Sequence, residues 1–206
     1  RVGWQFRKDQ RTLRDPQLEE TIFDPRERPW YKAGQSSSTH TWTAIYIDFK
    51  TLQLVCTRAR RVNGASGEFE GVVATDVSLQ RLNDFLKALE ISANGFAFIV
   101  EADGNLIATS RGPHLRKGPG EDNRRLHAQA SEDPFIAATY RSVQALAGAA
   151  EPSGRVRTTS FTGPDGETVQ TGYARVRDSA GLDWIVAVGV PRNDFMRDVT
   201  LNVHRT

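Results

Sequence analysis

Three strand-type runs stand almost back to back between Thr43 and Val77, and at Ser78 the spacing of the apolar residues changes from two to three or four. The first run, "TAIYIDF" (43–49), is β-branched and aromatic. After a turn-like "KT", "LQLVCTRARRV" (52–62) continues the extended pattern, so the two runs are expected to pair. Past the loop "NGASGE", the stretch from Phe69 to Val77, "FEGVVATDV", has a near-continuous apolar centre, the pattern of a strand buried on both faces. Ser78 is placed to cap a helix in which Leu79, Leu82, Phe85, Leu86 and Leu89 form one stripe, with Asn94-Gly95 as its stop.

The second half repeats the logic. "GFAFIVEADGNLIATS" predicts a hairpin turning at Asp103-Gly104. Residues 111–130 are polar and rich in Gly and Pro, as in a loop. Ser131, ahead of Glu132, Asp133 and Pro134, starts a helix whose face is Phe135, Ile136, Thr139, Tyr140, Val143 and Leu146. "RVRTTSF", "VQTGYARV" and "WIVAVGV" then predict an antiparallel meander.

Charge and motifs exclude several classes of function. The 27 Lys and Arg nearly balance the 25 Asp and Glu, and the basic residues are scattered, which argues against nucleic acid as a partner. The densest group, Arg58, Arg60 and Arg61, reads as a solvated strand end. A single cysteine, Cys56, excludes an internal disulfide and a cysteine-cluster metal site. The longest apolar runs fall short of the roughly 20 residues of a membrane helix. No Gly-x-Ser-x-Gly elbow, Walker loop or His-Glu-x-x-His helix occurs. His40, His114, His127 and His204 are dispersed and read as surface residues. No catalytic residue, metal ligand or cofactor is assigned, and the chain is not expected to be an enzyme.

The stretch that asks for a ligand is "FDPRERPWYKAG", residues 23–34. Pro29 keeps Arg28 extended and suits the first turn of a short helix carrying Trp30 and Tyr31. A guanidinium clasps a carboxylate with two parallel hydrogen bonds, and flanking rings exclude water from that contact. Tyr46 and Asp48, two apart on one strand, are expected to face the same way. Asp76, inside an apolar strand, needs a positive partner. One arginine and two carboxylates would neutralise both poles of a small zwitterion. The competing reading is that Arg28 and Asp76 pair with each other and that Trp30 and Tyr31 are core residues.

The ordered set "DPRERPWYKAG", "WTAIYID", "GVVATDVSLQRLNDFL" and "GFAFIVEADGNLIATS" resembles the double Cache family of extracytoplasmic sensor domains in bacterial signalling proteins. The resemblance implies an α/β (α+β) fold of two tandem PAS-like modules, each an antiparallel sheet flanked by helices. Residues 1–92 would be the membrane-distal, ligand-binding module and 93–192 the membrane-proximal one. Residues 193–206 would be a helical segment leading to the membrane. It further implies that Arg28, Trp30, Tyr31, Tyr46, Asp48 and Asp76 bind the ligand, the arginine region gripping a carboxylate and the aspartates an amino group. Phe23 stands where the amino-acid-binding pattern has a tyrosine, so amines and other small carboxylates stay open as ligands. Flanking helices would tether the domain to an inner membrane, with a diguanylate cyclase, histidine kinase or chemotaxis output in the cytoplasm. A homodimer is left open. The alternative to a sensor is a ligand-free structural or dimerisation module.

Overall fold

The computed structural model describes residues 2–3, 17–18, 23–116, 124–148 and 152–194. In chain order the elements are β1 (Val2–Gly3), β2 (Gln17–Leu18), α1 (Pro29–Ser36), β3 (His40–Trp42), β4 (Tyr46–Ile47), β5 (Leu54–Asn63), β6 (Phe69–Ser78) and α2 (Leu79–Ala88). They are followed by β7 (Phe96–Glu101), β8 (Leu106–Thr109), β9 (Leu115–Arg116), β10 (Arg124–Arg125), α3 (Pro134–Gln144), β11 (Arg157–Thr162), β12 (Thr168–Arg177) and β13 (Asp183–Pro191). The expected helical segment at 193–206 lies outside the described residues apart from Asn193 and Asp194.

The first sheet is organised around β5. Its one edge takes β3 at Arg58 to Arg60 and β4 at Leu54 and Val55, while β6 runs antiparallel along the other edge. Of the single strand expected over 43–49 only Tyr46–Ile47 is extended, and a separate strand, β3, precedes it at His40–Trp42. At the break Thr43 N–H donates to Thr57 O (2.9 Å), and Thr57 N–H donates to Thr43 Oγ1 (2.9 Å), so a side chain takes the place of a ladder bond. Helix α1 crosses β5 and β6 at a glycine. A Cβ on Gly34 would overlap Val72 and sit 3.2 Å from the Ala59 methyl, which is why the helix can lie this low. Gly34→Leu should lift α1 and cost about 1–3 kcal/mol, read as a lowered Tm.

Strand β6 corrects the sequence expectation. It pairs with β5 alone, and Val73 to Asp76 are exposed, Val73 by 62%. Its apolar run therefore does not mark a strand buried on both faces. On the face turned away from α1, His40, Arg58, Arg60 and Val73 border a hollow of about 480 Å³, so Val73 has little beside it to pack on.

In the second sheet the order is β11-β12-β13-β7-β8, antiparallel throughout. The predicted hairpin and meander are both present, joined through β13 and β7. Only Gly104 of the Asp103-Gly104 pair adopts positive φ, +87°. One face packs Phe96, Phe98, Val100 and Ile185 on Ile136, Tyr140 and Val143 of α3. The other packs Ala97 and Ile99 on Leu79 and Leu86 of α2.

Both helices differ in detail from expectation. Ser78 does cap α2, its Oγ accepting from Arg81 N–H at 3.4 Å. Phe85, however, is 59% exposed, and Asn83 takes the inward position, its Oδ1 accepting from Thr109 N–H at 3.0 Å. The turn of the helix makes 79, 83 and 86 the buried line. For α3 the cap is Asp133 rather than Ser131, since its Oδ1 accepts from Phe135 N–H at 2.8 Å.

The two sheets meet at Trp42. Its N–H donates to Ala180 O (2.9 Å) and its indole Nε1–H to Asp178 Oδ2 (2.8 Å), in the turn between β12 and β13. Among the described residues no helix is long and apolar enough to cross a membrane.

His114 departs from the surface reading, since it is buried. Burial, and then the charge of Lys87, hold its imidazole below the ordinary range, with Asp84 opposing. A histidine with a depressed folded value loses stability as pH falls below its unfolded value of about 6.5, because the unfolded chain then binds the extra proton. Melting curves between pH 7.5 and 5 should fall on the acid side, and His114→Gln should flatten that fall.

Candidate functional site

Side chains of directly paired residues share a sheet face. Pairing Tyr46 with Val55, Thr57 with Asp76 and Ala59 with Ala74 therefore puts all six on one face. That face carries α1, because Gly34 lies against Ala59. The site is the part of it below the helix N-terminus.

Arg28 precedes Pro29 with φ −83° and ψ 148°, the extended backbone that the proline imposes. Its side chain reaches β4, where Nη2 donates to Ile47 O at 3.2 Å. The guanidinium carbon lies 5.5 Å from the Phe49 ring and 6.0 Å from the Tyr46 ring. Phe23 packs on Phe49 with centroids 5.1 Å apart. Arg28 makes no ion pair among the described residues.

Tyr46 Oη and Thr57 Oγ1 are 2.7 Å apart, and Thr57 Oγ1 donates to Asp76 Oδ1 at 2.5 Å. Burial pushes the Tyr46 phenol up, and the charges of Asp76 and Asp48 add to it, against the Thr57 hydrogen bond and Arg28. Thr57 is fully buried and was not singled out in the sequence, where it is one small polar residue in "LVCTRARRV".

The remaining candidates are placed differently. Asp48 lies beyond β4, in the turn, and its Oδ2 accepts from Lys50 N–H (3.1 Å), Thr51 N–H (2.7 Å) and Thr51 Oγ1–H (2.8 Å). Burial raises its carboxyl, but these bonds together with the Arg28 charge outweigh that and hold it below the usual carboxylate range. Tyr31 stacks edge-on against Phe69 at 6.1 Å and against Trp30 at 5.6 Å. Phe69 is seven residues along β6 from Asp76, about 23 Å in an extended strand, so this aromatic pair covers the other end of the face. Asp76 is exposed rather than buried, because its strand is an edge.

The geometry answers the competing reading directly: Arg28 and Asp76 do not pair with each other. Arg28 lies on the Tyr46 ring, whose hydroxyl leads through Thr57 to Asp76. Among the described residues no group of three His, Cys, Asp or Glu is placed to hold a metal ion. Cys56 is buried and its thiol is pushed up to about 11, by burial first and then by Glu101. It should resist alkylation until the domain unfolds, which timed mass spectrometry with iodoacetamide would measure.

Two antiparallel sheets flanked by helices are consistent with the PAS-like architecture of sensor domains. The chain belongs to the Cache domain family, whose model matches residues 5–199. It is 28% identical over 171 residues to the methyl-accepting chemotaxis protein PctB of Pseudomonas aeruginosa, covering 83% of this chain and 23% of PctB. The chain thus spans about a quarter of that relative. Among solved structures it is similar to the ligand-binding domain of Pseudomonas fluorescens chemoreceptor CtaA in complex with L-serine, with 28% identity and TM-score 0.51, covering 88% of this chain and 68% of that one. The PctB ligand-binding domain in complex with L-Arg matches at 25% identity and TM-score 0.51, covering 88% and 67%.

Proposed function

We propose that this chain is the extracytoplasmic sensor domain of a membrane-tethered receptor and binds a small amino-acid-like ligand through its first sheet. Residues 1–92 form the ligand module, 93–192 the membrane-proximal module and 193–206 the exit towards the membrane. Arg28 takes the ligand carboxylate and Asp76 the ammonium, with Tyr46 between them, while Trp30 and Tyr31, stacked towards Phe69, close the opposite end of the face. Asp48 acts by holding the turn that carries Phe49 and by its charge on Arg28. The observation that carries this reading is that a guanidinium and a carboxylate on one sheet face leave each other unpaired. Two opposite poles with a ring between them suit a zwitterion, which satisfies both. The CtaA complex with L-serine and the PctB complex with L-Arg support that ligand class.

The relative's name favours a chemotaxis output for the whole protein over a cyclase or kinase. Signal would pass by a population shift, which requires the ligand to bind one of two states more tightly. Trp42, held to both sheets, is the contact through which that shift would reach β13. Thermal-shift screening of α-amino acids, amines and small carboxylic acids tests the reading. It expects hits among the amino acids that disappear in Arg28→Ala, and a panel without hits would reject it.

A further inference from the structure

We propose that Thr57 is a positioning residue that fixes the direction of the Tyr46 hydroxyl, making the Asp76 end of the site acceptor-only and selective for a ligand ammonium group. This rests on the amino-acid reading above and adds to it the residue that sets its polarity.

Thr57 has one hydroxyl proton and lies 2.5 Å from Asp76 Oδ1, the length of a charge-assisted O–H···O⁻ bond. An ionised carboxylate can only accept, so the Thr57 proton goes to Asp76. Tyr46 Oη, 2.7 Å from the same Thr57 oxygen, must then be the donor of that second bond. Nothing in the backbone competes for the Thr57 hydroxyl, because both its N–H and its C=O are held by Thr43. Full burial of Thr57 keeps water from substituting for either partner.

The consequence is a single polarity at the Asp76 end. Tyr46 has spent its proton on Thr57 and turns only lone pairs to a guest. Asp76 Oδ2 meets no donor among the described residues and adds further lone pairs. Arg28, which has donors and no acceptor, lies on the other side of the Tyr46 ring. A ligand group with only lone pairs finds no donor at the Asp76 end, whereas an ammonium finds acceptors from two residues. Without the Thr57 hydroxyl, Tyr46 could turn its proton to the guest, and Asp76 would lose the bond that orients it.

Calorimetric titration of wild type, Thr57→Val and Thr57→Ser with L-alanine and with propionate, its analogue lacking the amino group, tests this. The ratio of the two affinities should fall about tenfold in Thr57→Val, the size of one misplaced polar partner. It should stay within about threefold of wild type in Thr57→Ser, which keeps the hydroxyl. An unchanged ratio in Thr57→Val, or an equal fall in Thr57→Ser, overturns the proposal. A ligand-free measurement separates it from the functional reading. In wild type the Thr57 hydroxyl proton should appear as a downfield, slowly exchanging resonance that moves upfield in Asp76→Asn. If wild type bound no member of the amino-acid panel, the amino-acid reading would fail, while absence of that resonance would refute the polarity itself.

Discussion

Asp76→Asn should weaken binding of an α-amino acid by at least about 2 kcal/mol, roughly thirtyfold, and Arg28→Ala should do the same from the opposite pole. In each case the ligand keeps one charge that the variant no longer meets, and that charge has to leave water on binding. The cost to the free domain should be smaller: Arg28 makes one exposed hydrogen bond to Ile47 O, at the low end of the roughly 1.5–3 kcal/mol of bonds to charged groups, and Asp76→Asn keeps an oxygen to accept from Thr57. Calorimetry beside melting curves separates the two effects. A large fall in Tm without ligand would mean that these charges serve the fold, and unchanged affinity would mean that they do not meet the ligand.

The largest effect on stability is expected from Phe98→Ala. Phe98 is fully buried in β7, between β13 and β8, and belongs to the cluster that packs on α3. Removing a buried phenylalanine ring costs about 3–5 kcal/mol, the transfer of the ring plus the cavity left behind. For a chain of this size that lowers Tm by roughly 10 °C. Because the proposed ligand residues all belong to the first sheet, to α1 or to the segments joining them, affinity measured well below the transition should change by less than about threefold. A stable Phe98→Ala variant would show that this cluster collapses around the lost ring. A variant that folds but fails to bind would show that the second sheet shapes the site.

The sequence made some of this legible, and the reasons for the remainder are physical. Pro29 alone fixes Arg28 as extended and starts α1, so the backbone at that point could be read directly. The second sheet was equally readable, since its strands carry regular apolar alternation and Gly104 marks the hairpin. What stayed hidden depends on register and on edges. Nothing in "FEGVVATDV" says that β6 lies at the rim of its sheet, and an apolar run was taken for a strand buried on both faces. Asp48 looked like a second inward carboxylate because alternation was carried past Ile47, where Thr51 pulls the chain into a turn. Phe85 looked like core because it is apolar, while Asn83 holds the inward position through a bond to a strand distant in sequence. Thr57 has meaning only once the pairing of β5 and β6 sets it opposite Asp76.

The central claim is that Arg28 and Asp76 wait for the two poles of one guest. Its most direct test is calorimetric titration of the wild-type domain at pH 7 with an α-amino acid, its primary amide and its analogue lacking the amino group. The account predicts saturable binding of the amino acid, and binding at least about tenfold weaker for each compound that lacks one pole. Equal affinity for the analogue without its amino group, or for the amide, would contradict it.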